Sequence, residues 1–240
     1  MEQRVALITG ASKGLGREIA RAYARTGLRL VLTARGRAAL EEAANELRGL
    51  TDILAVAGDV ADAAHVERLV KLALARYGHI DVLVNNASEL GAGLLELEKL
   101  PPEELESILR TNLVAPLRLI QLVLPNMRQR GSGLIVNVSS DAAVEAYPTW
   151  GGYGASKAAL EHLSRVLAAE VEGSGVRVAV VDPGDMNTEM HRAAEPGVDL
   201  THLPGPEVAA PAFVRLLDDP AAFGRHQAQQ EDVDYVELGT

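Results

Sequence analysis

The sequence predicts an α/β protein built on a doubly wound parallel sheet, with all 240 residues in one domain. Three observations point there. Short aliphatic, β-branched runs alternate with longer stretches of helical periodicity. Those runs are apolar throughout rather than at every second position, as strands covered on both faces are. The first run also leads directly into a glycine-rich turn. Right-handed crossovers between such strands give the order 3-2-1-4-5-6.

The elements follow in sequence. Val5-Ala6-Leu7-Ile8 reads as the first strand, and a helix from Leu15 to Thr26 ends at Gly27. Leu30 to Thr33 is the second strand, followed by a helix from Arg37 to Leu47. Ile53 to Val56 is the third strand, and the helix from His65 to Tyr77 stops at Gly78. Val82-Leu83-Val84 is the fourth strand. Pro101-Pro102 then opens a long helical region, where prolines suit a first turn whose N–H groups lack internal partners. Leu134 to Val138 is the fifth strand. A helix from Tyr153 to about Glu172 ends at Gly173 and Gly175, and Val176 to Val181 is the sixth strand. Thr188 to Pro211, rich in Pro, Gly and His, reads as a loop or short lid. The tail after Gly224 is polar and acidic, and Val233-Asp234-Tyr235-Val236 is the candidate for a seventh strand.

Composition narrows the function classes. The chain is 48% hydrophobic but only 3% aromatic, so its core must be Ala, Leu and Val. A net charge of −10 argues against nucleic acid or an anionic membrane as partner. With no cysteine there is no disulfide, thiolate catalysis or Cys-based zinc site. No signal peptide is recognised, and no apolar run reaches the roughly 18 residues of a bilayer span. The expectation is a cytoplasmic protein. The six histidines show no metal-ligand spacing, and His191 and His202 read as surface residues.

Thr9-Gly10-Ala11-Ser12-Lys13-Gly14-Leu15-Gly16 lies at a strand-to-helix junction. Glycines there permit a tight turn and close approach of backbone to a pyrophosphate, beside free N–H groups of the helix. Gly-rich turns also occur at βα junctions without a ligand. Further along come Asp59-Val60, Asn85-Asn86-Ala87, Asn112, Ser140, Tyr153-x-x-x-Lys157 and Pro183-Gly184. In this order and spacing, from Val5 to about Thr188, the chain resembles the short-chain dehydrogenase/reductase family.

The resemblance implies a Rossmann-like fold that transfers a hydride between a nicotinamide and a carbonyl or secondary alcohol. It implies cofactor contacts at Gly10, Ser12, Lys13, Gly14, Leu15, Gly16, Asn86, Ala87, Ser88, Tyr153, Lys157, Pro183, Gly184, Met186 and Thr188. By the same resemblance Asp59 bonds the adenine amino group and Val60 lines its pocket; a helix cap is the rival reading of Asp59. Thr188 is expected to meet the nicotinamide carboxamide. An acid at the end of the second strand would hold the hydroxyls of NAD. Arg35 stands there instead, and Lys13 adds a second cation, so NADP(H) is preferred over NAD(H); solvated surface charges are the plainer alternative.

Tyr153 and Lys157, four apart, share one helix face. The ammonium is expected to lower the phenol's pKa, so that Tyr153 works as acid and base. Lys157 is expected also to hold the nicotinamide ribose. Ser140, favoured over Ser139 by the family's spacing to the tyrosine, would hydrogen-bond the substrate oxygen. Asn112 would hold a water in a proton relay, or merely mark a helix distortion.

Three places depart from the family's pattern. Ser88 stands where glycine is usual, Met186 where a β-branched residue is usual, and the usual C-terminal Gly-Gly strand is not recognisable. Asp141, Val144, Glu145, Tyr147 and Trp150 are the expected substrate wall; the two aromatics could equally pack a lid or an interface. A homo-oligomer, dimer or tetramer, is expected. The rival functions are an isomerase, epimerase or dehydratase on the same scaffold, and a non-catalytic NADP-binding regulator.

Overall fold

A computed structural model describes residues 3–229. Seven strands, all parallel, form one sheet in the order β3-β2-β1-β4-β5-β6-β7. They are β1 (Val5–Thr9), β2 (Arg29–Ala34), β3 (Ile53–Ala57), β4 (Val82–Asn85), β5 (Gly133–Val138), β6 (Val176–Asp182) and β7 (Gly224–Gln227).

The first six strands are apolar on both faces because helices cover both. Ala6 and Ile8 of β1 join Leu30 and Leu32 of β2 on one face. There they meet Ile19 of α1 (Gly14–Arg25), Leu40 of α2 (Arg37–Leu47) and Phe213 of α8 (Ala210–Asp218). Val5, Leu7 and Val31 point the other way. They meet Leu69 of α3 (Ala63–Tyr77), Ile120 of α5 (Ala115–Arg130) and Leu167 of α6 (Gly151–Glu170). Gly78 ends α3 in the left-handed region at φ +79°, a position that favours glycine.

The helical region opened by Pro101-Pro102 is continuous but not uniform. α4 (Pro102–Leu109) passes into α5 through a wide five-residue turn, Arg110–Val114, with Asn112 at its centre. Such π-type turns are concentrated at functional sites. By length and composition the helical stretch 102–130 is apolar enough to cross a membrane, although Arg110, Arg118 and Gln121 interrupt it and no unbroken apolar run reaches a bilayer span. Its apolar residues Ile108, Leu119, Ile120, Val123 and Met127 are buried.

The seventh strand lies earlier in the chain than the candidate segment. It is Gly224–Gln227, paired in parallel with β6 from Ala179↔Gly224 to Asp182↔Gln227. Val233–Val236 lies outside the described residues. The segment after Thr188 holds α7 (Glu189–Ala194) and a short 3₁₀ turn at Pro206–Val208 before α8 begins.

Candidate active site

The carboxyl ends of the strands bring the sequence-predicted residues to one edge. Gly10, at φ +66°, follows β1. A Cβ there would stand 2.8 Å from Asn86 Nδ2, and one on Gly16 would overlap both the Gly10 carbonyl and the Asn86 amide. Asn86 explains this crowding. Its Nδ2 donates to the Thr9 carbonyl at 2.9 Å, and the N–H groups of Asn86 and Ala87 both donate to Thr9 Oγ1. Glycine at 10 and 16 thus lets α1 close against the β4 loop.

Ser12 and Gly14 lie half-buried in the turn, and Leu15 is buried behind it. The first turn of α1 has no side-chain cap and no acid, so its N–H groups remain open to an anion. Thr188 lies over this turn: a Cβ on Gly14 would find Thr188 Cγ2 at 3.9 Å.

The two predicted cations differ. Arg35 is exposed and has no hydrogen bond or ion pair among the described residues. Lys13 is paired with Glu189 at the start of α7, and both are well exposed. Asp59 is exposed and accepts from Ala61 N at 2.9 Å. The cap of α3 is Asp62, which accepts from Ala64 N at 2.9 Å; the capping role considered for Asp59 therefore belongs to its neighbour. Val60 is buried beside it.

Tyr153 and Lys157 sit one turn apart on α6, both buried, with Lys157 Nζ 5.5 Å from the Tyr153 ring centroid. Lys157 Nζ donates to the Val138 carbonyl at 2.8 Å. Burial pushes its pKa down to about 8, with the carboxylate of Glu161 opposing. Burial also pushes the Tyr153 phenol up to about 12, against hydrogen bonds shared with Ser88 and Ser140 that pull it down. The sequence led to the opposite sign for Tyr153. Desolvation of the phenolate outweighs its stabilisation here, so Tyr153 is a protonated donor at neutral pH. Trp150 packs edge-on against it at 5.8 Å.

Asn112 is saturated by direct contacts. Its Oδ1 accepts from Ser88 Oγ at 3.1 Å and Glu89 N at 2.9 Å; its Nδ2 donates to Glu89 O and Ser156 Oγ. Ser88, the departure from glycine, therefore joins Asn112 to Tyr153.

Three side chains that the sequence reading missed sit behind this centre. Glu161 and Asp182 are 5% and 4% exposed, and Arg225 of β7 lies between them. Arg225 donates to Glu161 Oε1 at 3.1 Å, to Asp182 Oδ2 at 2.7 Å and to the Ser140 carbonyl at 3.3 Å. Ser139 Oγ donates to Glu161 Oε1 at 2.6 Å, so Ser139 turns away from the cleft while Ser140 faces Tyr153. A Glu eight residues beyond Tyr153, on the same helix face, was the one available signal.

Pro183 is buried and Gly184 takes φ +71°; Gln229 Nε2 donates to the Pro183 and Asp185 carbonyls, fixing this loop. The Met186 side chain is buried in the core. Thr188 Oγ1 caps α7 by accepting from His191 N at 3.2 Å. Among the described residues no group of three His, Cys, Asp or Glu could hold a metal.

Residues 4–199 match the family described as short chain dehydrogenase. The chain is 37% identical over 235 residues to D-threitol dehydrogenase of Mycolicibacterium smegmatis, covering 93% of this chain and 89% of that protein. It is 32% identical to the 3-oxoacyl-[acyl-carrier-protein] reductase FabG of Escherichia coli, covering 92% and 93%. Among solved structures, an alcohol dehydrogenase of Thermococcus sibiricus complexed with 5-hydroxy-NADP superposes with a TM-score of 0.84 at 33% identity, covering 96% of this chain and 99% of that one. A 3-ketoacyl-(acyl-carrier-protein) reductase of Brucella melitensis complexed with NADH gives 0.85 at 28%, covering 95% and 98%.

Proposed function

The chain belongs to the short-chain dehydrogenase family, and from that membership we propose that it transfers a hydride between NADP(H) and a ketone or secondary alcohol, with Tyr153 as general acid and base. One observation carries the reading: a buried, protonated Tyr153 hydroxyl facing Ser140, with the Lys157 ammonium 5.5 Å from its ring.

The cradle suits a dinucleotide, because Gly10 and Gly16 leave no room for a side chain and the first turn of α1 is uncapped. Gly10, Ser12, Gly14, Leu15, Gly16, Asn86 and Ala87 would hold the phosphates and riboses, with Asp59 and Val60 at the adenine and Pro183, Gly184 and Thr188 at the nicotinamide. NADPH, when bound, supplies the hydride. Tyr153 gives its proton to the carbonyl oxygen, where the displaced C=O π pair becomes the new O–H bond while the hydride's own electron pair becomes the C–H bond; in oxidation Tyr153 takes the proton back. Ser140 donates to that oxygen as charge develops. Lys157 spends one N–H on Val138 and keeps two for a ribose hydroxyl. Asn112 positions the Ser88–Glu89 segment, and its saturated side chain leaves any relay water to other groups.

Named relatives include a dehydrogenase and a reductase, and solved neighbours carry NADP, NADPH or 5-hydroxy-NADP in four cases and NADH in one. Arg35 supports the phosphorylated form, because a 2′-phosphate would find an unpaired guanidinium there. Lys13 would have to leave Glu189 to assist, an exposed pair of little strength. Turnover of reduced nicotinamide with a ketone panel, followed by its absorbance, tests the activity. Arg35→Ala is expected to raise KM for NADPH by roughly tenfold and to leave KM for NADH within about twofold. Equal changes for the two cofactors would refute the assignment.

A further inference from the structure

The wall beside Ser140 carries a second recognition element. Asp141 Oδ1 accepts from Ser140 Oγ at 2.9 Å and from Ala142 N at 2.8 Å, and its Oδ2 accepts from the Tyr147 hydroxyl at 2.8 Å. The hydroxyl expected to hold the reacting oxygen is therefore aimed at a carboxylate in this structure. We propose that Asp141 selects substrates bearing a hydroxyl on the carbon next to the reacting carbon, that is, vicinal diols and α-hydroxy ketones. The proposal rests on the hydride-transfer reading above.

The argument is one of hydrogen-bond exchange. When a substrate oxygen lies between Tyr153 and Ser140, the Ser140 proton turns to it and Asp141 Oδ1 loses a donor. The two oxygens of a vicinal diol stand about 2.8 Å apart, the spacing of an O–H···O contact. Ser140 Oγ and Asp141 Oδ1 are 2.9 Å apart. The second substrate hydroxyl thus falls opposite Asp141 and restores the lost bond. A plain ketone leaves a half-buried carboxylate oxygen short of a donor, which is how a polar site rejects an analogue lacking a hydroxyl.

The surroundings agree. The Tyr147 proton is committed to Asp141, with the phenol pushed up to about 12 mainly by that bond, so its oxygen is left as an acceptor for a further hydroxyl. Glu145 and Asp185 act on Tyr147 in the same direction, so the wall is anionic and repels a carboxylate or phosphate on the substrate. Thr149, between Tyr147 and Trp150, is held at φ +74°, an unusual conformation for a residue with a side chain and one found where a loop is fixed for function.

Trp150 is the chain's single tryptophan and packs on Tyr153, so its fluorescence reports binding at this wall without turnover. With the NADPH complex, which cannot oxidise an alcohol, 2,3-butanediol is expected to bind roughly tenfold more tightly than 2-butanol. In Asp141→Ala that preference should fall to within about twofold, while Asp141→Asn, which keeps an acceptor oxygen, should restore part of it. In turnover, 3-hydroxy-2-butanone should exceed 2-butanone in kcat/KM by a similar factor in the unmodified protein only. Equal binding of diol and mono-alcohol, or a loss in Asp141→Ala shared by both, overturns the proposal. Absence of turnover with the diol preference intact would instead count against the hydride-transfer reading alone.

Discussion

Around the glycine loop, close contact is made by backbone and small residues; around Tyr153 it is made by buried polar side chains. The first region has Gly10, Gly16 and Ala11 against Thr9 and Asn86, and each of its bonds has a backbone atom on one side. The second buries Asn112, Asn137, Ser139, Ser156, Lys157, Glu161, Ser164 and Asp182. Shape governs one and charge the other. A site that cradles a fixed phosphate group needs space at the right place. A site that moves protons needs titratable groups held out of water, and those must be satisfied by partners from several elements.

The contrast can be broken at three points. Tyr153→Phe removes one hydroxyl from the polar region. It should lower kcat by roughly 10²- to 10⁴-fold with cofactor affinity nearly unchanged; a loss under tenfold would remove the acid/base role. Arg225→Met leaves Glu161 and Asp182 buried without their shared cation. It should cost roughly 3–5 kcal/mol in denaturant unfolding, and a cost below about 1 kcal/mol would mean that the polar region does not depend on this charge. Gly16→Ala tests the other region by adding one carbon against the Gly10 carbonyl and Asn86. It should cost about 1–3 kcal/mol by overpacking and weaken cofactor binding. Gly49→Ala, with nothing within 4 Å of its added carbon, should change stability by no more than about 0.5 kcal/mol.

The glycine-loop region was legible in advance because its constraints are local. A run such as Val5-Ala6-Leu7-Ile8 followed by spaced glycines describes a strand, a turn and a helix start with no distant information. The polar region was legible only in part. Tyr153, Lys157 and Ser140 were found through the resemblance to the family's spacing, but Glu161, Asp182 and Arg225 meet from three elements, and Arg225 is 43 residues from Asp182. The strand carrying it reads Gly-Arg-His-Gln, without the apolar run that marks the other six. Among the described residues it borders the sheet and pairs with β6 alone, so nothing there requires it to be apolar on both faces.

The sequence by itself determined the order of strands and helices, the covered sheet, the two close-packed glycines and the Tyr153–Lys157 pairing, because each follows from periodicity, spacing or the size of a side chain. The tertiary structure alone decided which way the groups titrate and what holds them. Tyr153 is pushed up rather than down, Lys157 is pushed down to about 8, and Arg225 pairs with two buried carboxylates. The physical reason is that desolvation and charge pairing depend on which atoms exclude water in three dimensions, and that information is absent from distance along the chain.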